Sequence, residues 1–281
     1  MLKKLTFLLL SLMLSFAVHA QDKPYTEIKL YTNLYSQTEN FDENADKIKD
    51  VSRRSFVTNI IELNFQNPNK QIWWGIDGWF RASLLHDEDD SPFQALKYQS
   101  NGNTAQTAFS HIGPKLIWKP SKKDPNLSTK FLALIPLGGG TTNIGSNIPA
   151  LDNSGFQLWS QINYNKKLAD GLYGYGEFSV VARLGRNNLP ENDVFIPIKG
   201  FLSFFPSQGV GIFGFFDYTP TITNPTAYYF QPGGGVKFFP SKKWEIELSA
   251  SKFVAGQNAG AGFSANLGLT YRIKSKAENE K

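Results

Sequence analysis

The stretch Gln71-Ile72-Trp73-Trp74-Gly75-Ile76-Asp77-Gly78-Trp79-Phe80-Arg81-Ala82-Ser83-Leu84 decides how this chain folds. Its even positions are Ile72, Trp74, Ile76, Gly78, Phe80, Ala82 and Leu84, with no charge among them. Its odd positions include Asp77, Arg81 and Ser83. Successive side chains of a strand point to opposite faces, so a period of two sorts an apolar face from a polar one. A helix would repeat near 3.6 residues instead. The stretch predicts a single strand of about fourteen residues, well beyond the five or six usual in soluble sheets.

The alternation recurs along the chain. In 156–164, Phe156, Leu158, Ile162 and Tyr164 share one face, and Gln157, Trp159, Gln161 and Asn163 share the other. In 172–184, Phe178, Val180, Ala182 and Leu184 oppose Tyr173, Tyr175, Glu177, Ser179 and Arg183. About twelve such segments fall near 25–36, 54–66, 71–85, 105–119, 128–137, 156–166, 172–184, 194–205, 210–219, 227–239, 244–254 and 261–273. Most reach the 9–11 residues that a tilted strand needs to cross a bilayer. Long connections (Thr38–Arg53, Asp87–Thr104, Gly138–Gly155, Gly185–Asp193) alternate with short ones such as Asn67–Lys70, Lys167–Gly171, Pro206–Gly209 and Pro240–Lys243. Pro closes three strands in Lys119-Pro120-Ser121, Phe205-Pro206-Ser207 and Phe239-Pro240-Ser241, because it cannot extend a ladder. Beside the short turns the apolar face carries Phe65, Trp74, Trp118, Phe131, Tyr164, Phe204, Phe238, Trp244 and Tyr271. Aromatic rings favour the membrane–water interface, and membrane barrels carry such girdles. A soluble barrel or sandwich has no reason to place them so. The expected fold is all-β: a transmembrane antiparallel up-and-down β-barrel of about twelve strands.

The ends of the chain are distinct. Lys3 and Lys4 precede an uncharged apolar stretch, and Val18-His19-Ala20 follows it. That is a secretory signal peptide over 1–20, cut after Ala20. The barrel is expected over 21–273, with 274–281 as a periplasmic tail. Losing Lys3 and Lys4 lowers the formal charge from +5 to +3, which points to no nucleic-acid partner. With no Cys, the chain has no disulfide framework, thiolate metal site or thiol nucleophile.

The last strand reads Asn266-Leu267-Gly268-Leu269-Thr270-Tyr271-Arg272-Ile273. It resembles the C-terminal signal read by the bacterial barrel-assembly machinery, with Asn266, Gly268, Tyr271 and Ile273 in the polar, glycine, aromatic and bulky apolar places. It departs from that pattern in ending on Ile rather than an aromatic and in carrying eight further residues. The resemblance implies a Gram-negative outer-membrane β-barrel, inserted by that machinery and surrounded by outer-membrane lipid. A second resemblance is shorter. Lys130 to Gly138, with Ile135-Pro136-Leu137-Gly138 leading into a Gly-rich loop, is similar to a segment of MetA-pathway phenol-degradation-type barrels, which implies passage of small organic compounds.

Chemical motifs are weak. Gly138–Thr142 lacks the Lys of a phosphate loop and no helix follows it. Asp42–Asp46 opens like a calcium loop, but Lys47 and Arg53 stand where Gly and Glu are required. Asp87-Glu88-Asp89-Asp90 offers carboxylates for a divalent cation at the cell surface, and solvated loop charge is the better reading. His86 lies beside it at the outer end of a strand. His111 is expected to face the lumen and Ser110 the lipid, so these neighbours form no Ser–His pair. No catalytic residue, metal site or cofactor is indicated, and an outer-membrane hydrolase lacks a nucleophile.

The inward face is left to carry function. Eight cations and six anions fall on it, with aromatic rings between them. The residues singled out as lining the lumen are Asp77, Trp79, Arg81, Trp159, Tyr173, Tyr175, Glu177 and Arg183. Intramembrane charges must face water or pair with each other. The first reading is a passive channel for small, amphipathic or aromatic solutes. The alternative is a plugged structural or interaction barrel, in which Asp77–Arg81 and Glu177–Arg183 belong to a network spanning the lumen.

Overall fold

A computed structural model describes residues 26–67, 71–100, 104–121, 123–138, 151, 155–185, 192–222 and 226–273. The expected signal peptide, its cleavage point and the C-terminal tail lie outside these residues, as does most of Gly138–Gly155.

Fifteen strands form one antiparallel sheet closed on itself. They are β1 (Thr26–Phe41), β2 (Lys47–Gln66), β3 (Ile72–Asp87), β4 (Ala105–Trp118), β5 (Leu127–Pro136), β6 (Phe156–Ala169), β7 (Leu172–Leu184), β8 (Asp193–Phe195), β9 (Ile198–Ser207), β10 (Val210–Pro220), β11 (Tyr228–Ser241), β12 (Trp244–Lys252), β13 (Ala255–Gln257), β14 (Ala259–Gly260) and β15 (Phe263–Ile273). The short β8 and β9 form one broken stave beside β7, β12 and β13 another beside β11, and β14 and β15 a third beside β1. The barrel therefore has twelve staves. It closes where β1 pairs with β15, from Thr26↔Ile273 to Ser36↔Phe263. Both described termini thus share one rim with the short turns.

The two faces meet different solvents. Outward residues such as Leu30, Ile61, Leu116, Leu158, Ile162, Phe178, Leu202, Ile212, Leu248 and Leu267 are exposed. Inward residues such as Asp77, Lys115, Gln157, Gln161 and Ser264 are buried. A soluble protein does not expose a continuous apolar belt of this kind, whereas a bilayer requires one. The girdle aromatics lie on this outer face. Phe65 and Trp74 are paired across strands with ring centroids 4.4 Å apart, and Trp244 and Tyr271 at 4.6 Å.

Three local features depart from the expectation. Thr38–Arg53 is no long loop: β1 and β2 run on together to a tight turn at 42–46. There Asp42 Oδ1 accepts from the backbone N–H groups of Asn44 and Asp46 at 2.8 and 2.9 Å. Beyond the belt the hairpin is mostly polar on both faces, with Ile48 exposed and Phe41 buried, so no alternation marks it in the sequence. Second, β4 carries a bulge: Trp79 pairs with His111 and Phe80 with Phe109, which leaves Ser110 as the extra residue. Ser110 is wholly buried, not on the lipid face, and its hydroxyl donates to the Trp79 carbonyl at 3.3 Å. Third, the β3–β4 connection holds a 3-10 helix, Pro92–Lys97. Its Ala95 packs on the outer wall with Leu34, Val57, Ala82, Leu84 and Ala105.

Candidate functional site

All eight candidate lumen residues share the inner face, but they divide into two surroundings. On the β3–β6 side, Trp79, Leu132 and Leu134 form a buried cluster, with Ile60 and Trp159 against it. The Trp79 and Trp159 rings meet edge to face at 6.0 Å. His111 Nε2 lies 2.9 Å from the Gly155 carbonyl, and Arg81 donates to the Leu151 carbonyl at 3.2 Å. This half of the lumen is packed.

The opposite half is hollow. A cavity of about 930 Å³ is walled by Tyr173, Tyr175, Phe201, Phe205, Phe213 and Phe239 and carries Glu177, Lys237 and Glu247. Gly171, Ser207 and Gln208 of the short turns also line it, so it sits at the turn-end mouth. A second cavity of about 320 Å³ lies beyond, among Tyr31, Tyr35, Lys199, Asp217, Tyr229 and Asn266. Phe201, Phe213 and Glu247 line both and make the waist between them. Two glycines make room for these rings: a Cβ on Gly233 would strike Phe215, and one on Gly235 would stand 2.6 Å from Phe213 Cζ. Of the eight candidates, Tyr173, Tyr175 and Glu177 line the hollow half, while Asp77, Trp79 and Trp159 belong to the packed one. Arg183 lies beside Asp193 at 3.5 Å and over the Phe195 ring. In the sequence Phe205 and Phe239 stand in the Phe-Pro-Ser turn words, which mask them as lumen wall. Each is nonetheless an odd residue, in phase with Phe201 and Lys237.

Among the described residues, several charges pair along neighbouring staves. Lys115 Nζ is 2.6 Å from both Glu62 and Asp77. Lys237 bridges Glu245 and Glu247 at 3.2 and 2.6 Å. Arg272 bridges Glu27 and Glu245 at 3.1 and 2.5 Å. Lys199 lies 3.7 Å from Glu177 and 3.8 Å from Asp217. The pairs expected for a plugged barrel, Asp77–Arg81 and Glu177–Arg183, are not those formed. Cross-strand partners stand closer than residues four apart on one strand, and register selects them.

At the C-terminal strand, Asn266 accepts from Asn33 Nδ2 at 2.6 Å and donates to Ser249 Oγ at 3.1 Å. Gly268 pairs with Tyr31 and faces inward. Tyr271 and Ile273 face outward at the rim. In the acidic run, Glu88 is paired with Lys49 at 2.8 Å.

Twelve antiparallel staves, apolar outside and charged inside, define a transmembrane β-barrel of the outer-membrane type. Solved structures agree on this fold. The chain is similar to the COG4313 outer membrane channel from Pseudomonas putida F1, at 10% identity and TM-score 0.70 over 90% of this chain and 97% of that one. It is similar to the beta domain of the Bordetella autotransporter BrkA, at 11% identity and TM-score 0.57 over 90% and 100%. It is also similar to the NanC porin, at 5% identity and TM-score 0.50 over 88% and 100%. By sequence, no family model and no curated protein matches the chain.

Proposed function

We propose that the protein is a passive outer-membrane channel for small amphipathic or aromatic solutes, which move along the β7–β12 side of the lumen. The two aromatic-walled cavities meeting at the Phe201–Phe213 waist carry this reading. The rings offer apolar contact, and the paired charges beside them keep the path wet with little net field. The fold shared with a channel and a porin supports it. The signal peptide and the Asn266, Gly268, Tyr271, Ile273 pattern support export and assembly into the outer membrane.

The second reading, a plugged structural barrel, draws on the packed cluster of Trp79, Leu132, Leu134 and Trp159. Planar-bilayer conductance of the purified barrel separates the two. A channel gives discrete steps. Glu177→Ala removes a fixed negative charge from the path and shifts selectivity toward anions. Asp77→Asn, on the packed side, leaves selectivity unchanged. Folded protein with neither conductance nor flux of small aromatic solutes into liposomes would establish the plugged barrel.

A further inference from the structure

The outer wall holds a serine, a histidine and an aspartate in line. Ser55 on β2 and His86 on β3 both lie on the outward face, level with the last turn of the apolar belt. Ser55 Oγ is 2.9 Å from His86 Nε2. His86 Nδ1 is 3.6 Å from Asp90 Oδ2 and has no closer hydrogen-bond partner. Behind Ser55 stands a second hydroxyl, Ser36 Oγ, at 2.9 Å, and Arg53 Nη1 donates to that oxygen at 3.3 Å. A proton on Nδ1, the nitrogen turned toward the carboxylate, leaves Nε2 to accept from Ser55. In that tautomer the donations run from Arg53 to Ser36, from Ser36 to Ser55 and from Ser55 to His86 Nε2. A hydroxyl bonded to a base, with the base turned by a carboxylate, is the arrangement that makes serine nucleophilic.

Holding the β3–β4 connection to the wall does not require these groups. Arg53 Nε and Nη2 already donate to the Glu88 carbonyl at 3.1 and 2.8 Å, and Ala95 is seated on the apolar cluster below.

The position selects the substrate. Ser55 stands ten residues beyond the girdle aromatic Phe65 on the same strand. A rise of about 3.3 Å per residue and a tilt of about 40° put it about 25 Å above that girdle, the height of the apolar band. This is the level at which acyl chains join their headgroups in the outer leaflet. The 3-10 helix Pro92–Lys97 is seated beside the site through Ala95, which clusters with Val57 and Leu84; Ser55 is 0% exposed, while Phe93 at 56% and Leu96 at 38% are exposed. For an amphiphile to reach the buried Ser55, this cover has to lift toward lipid.

We infer that this outer-wall site is a serine esterase for fatty-acyl esters of membrane amphiphiles. Ser55 Oγ attacks the ester carbonyl carbon and its proton passes to His86 Nε2. The ester C–O bond breaks, and His86 gives the proton to the departing alcohol oxygen. Water then attacks the acyl group on Ser55, losing a proton to His86, which returns it to Ser55 Oγ as the fatty acid leaves. Ester and water become acid and alcohol. Asp90 acts as a positioning residue.

The test uses the full barrel in detergent micelles with a long-chain fluorophosphonate, and folding is checked by heat-dependent gel mobility. Mass spectrometry should place the adduct on Ser55. Ser55→Ala should abolish it, and His86→Ala should slow it by about 100-fold or more. Asp90→Asn should slow it less, with Asp90→Glu restoring the rate. Ala95→Glu, which unseats the cover from its apolar cluster, should speed it. Fatty-acid release is then followed from phosphatidylethanolamine vesicles and from lipopolysaccharide, and release from either in a Ser55-dependent manner identifies the amphiphile. No adduct on Ser55 in folded wild-type and Ala95→Glu proteins overturns the site. So does a labelling rate that His86→Ala leaves unchanged. Release from neither amphiphile overturns the substrate class. None of these readouts depends on conductance.

Discussion

Phe201 and Phe215 stack across β9 and β10 with centroids 5.3 Å apart and planes 24° from parallel. Phe213 stands beside them, 6.2 Å from Phe201. This aromatic step lies between the mouth cavity and the one beyond it, and in the proposed channel it sets the width of the path. Phe201→Ala should join the two cavities and enlarge the conductance steps, whereas Phe201→Trp should shrink them. Losing the stack costs about 0.5–1.5 kcal/mol, so the barrel should still fold. Equal step sizes in all three proteins would move the constriction elsewhere.

Lys115 is a buried cation held between two carboxylates, with its side chain 1% exposed. Lys115→Met should destabilise the folded barrel by about 3–5 kcal/mol, because Asp77 and Glu62 are left with no cation between them. The double variant Lys115→Met/Asp77→Asn should recover part of that loss. Urea unfolding followed by tryptophan fluorescence measures both. A single variant as stable as the parent would show that the triad carries no structural weight.

The two faces can be tested by one charge. Val180 is an outward residue on β7 near the middle of the belt, and Val180→Arg should cost about 2–4 kcal/mol there. Ser203 on β9 faces the mouth cavity, and Ser203→Arg should cost far less. Ser179, the inward neighbour of Val180, makes a poorer control: it is 0% exposed and its hydroxyl donates to Glu177 at 3.2 Å. Equal losses of folding yield for Val180→Arg and Ser203→Arg would mean that inside and outside are exchanged.

Orientation follows from the extended β1–β2 hairpin and the short turns at the opposite rim. The chain has no Cys, so single thiols report cleanly. Intact cells carrying Asn44→Cys, at the hairpin tip, should label with an impermeant thiol reagent. Cells carrying Ser241→Cys, in the β11–β12 turn, should not. The reverse pattern would invert the barrel in its membrane.

The sequence by itself determined the staves. Each strand separates lipid from lumen, so the side-chain period of two is written as alternating polarity, and the girdle aromatics mark where the lipid ends. That held from Ile72 to Leu84 and from Leu172 to Leu184. It failed at 38–53, where the hairpin runs beyond the lipid and alternation has no cause. Tertiary structure decided what each residue meets. Lys115 chose Asp77 and Glu62 through strand register, and Arg272 found Glu27 245 positions away only because the barrel closes. The split of the lumen into a packed and a hollow half depends on which large rings the shear brings together. Ser55 and His86, 31 residues apart, belong to segments that read separately as an ordinary strand and a histidine beside an acidic run. Their contact comes from antiparallel pairing and from a loop folded back on the outer wall, neither of which any local pattern encodes.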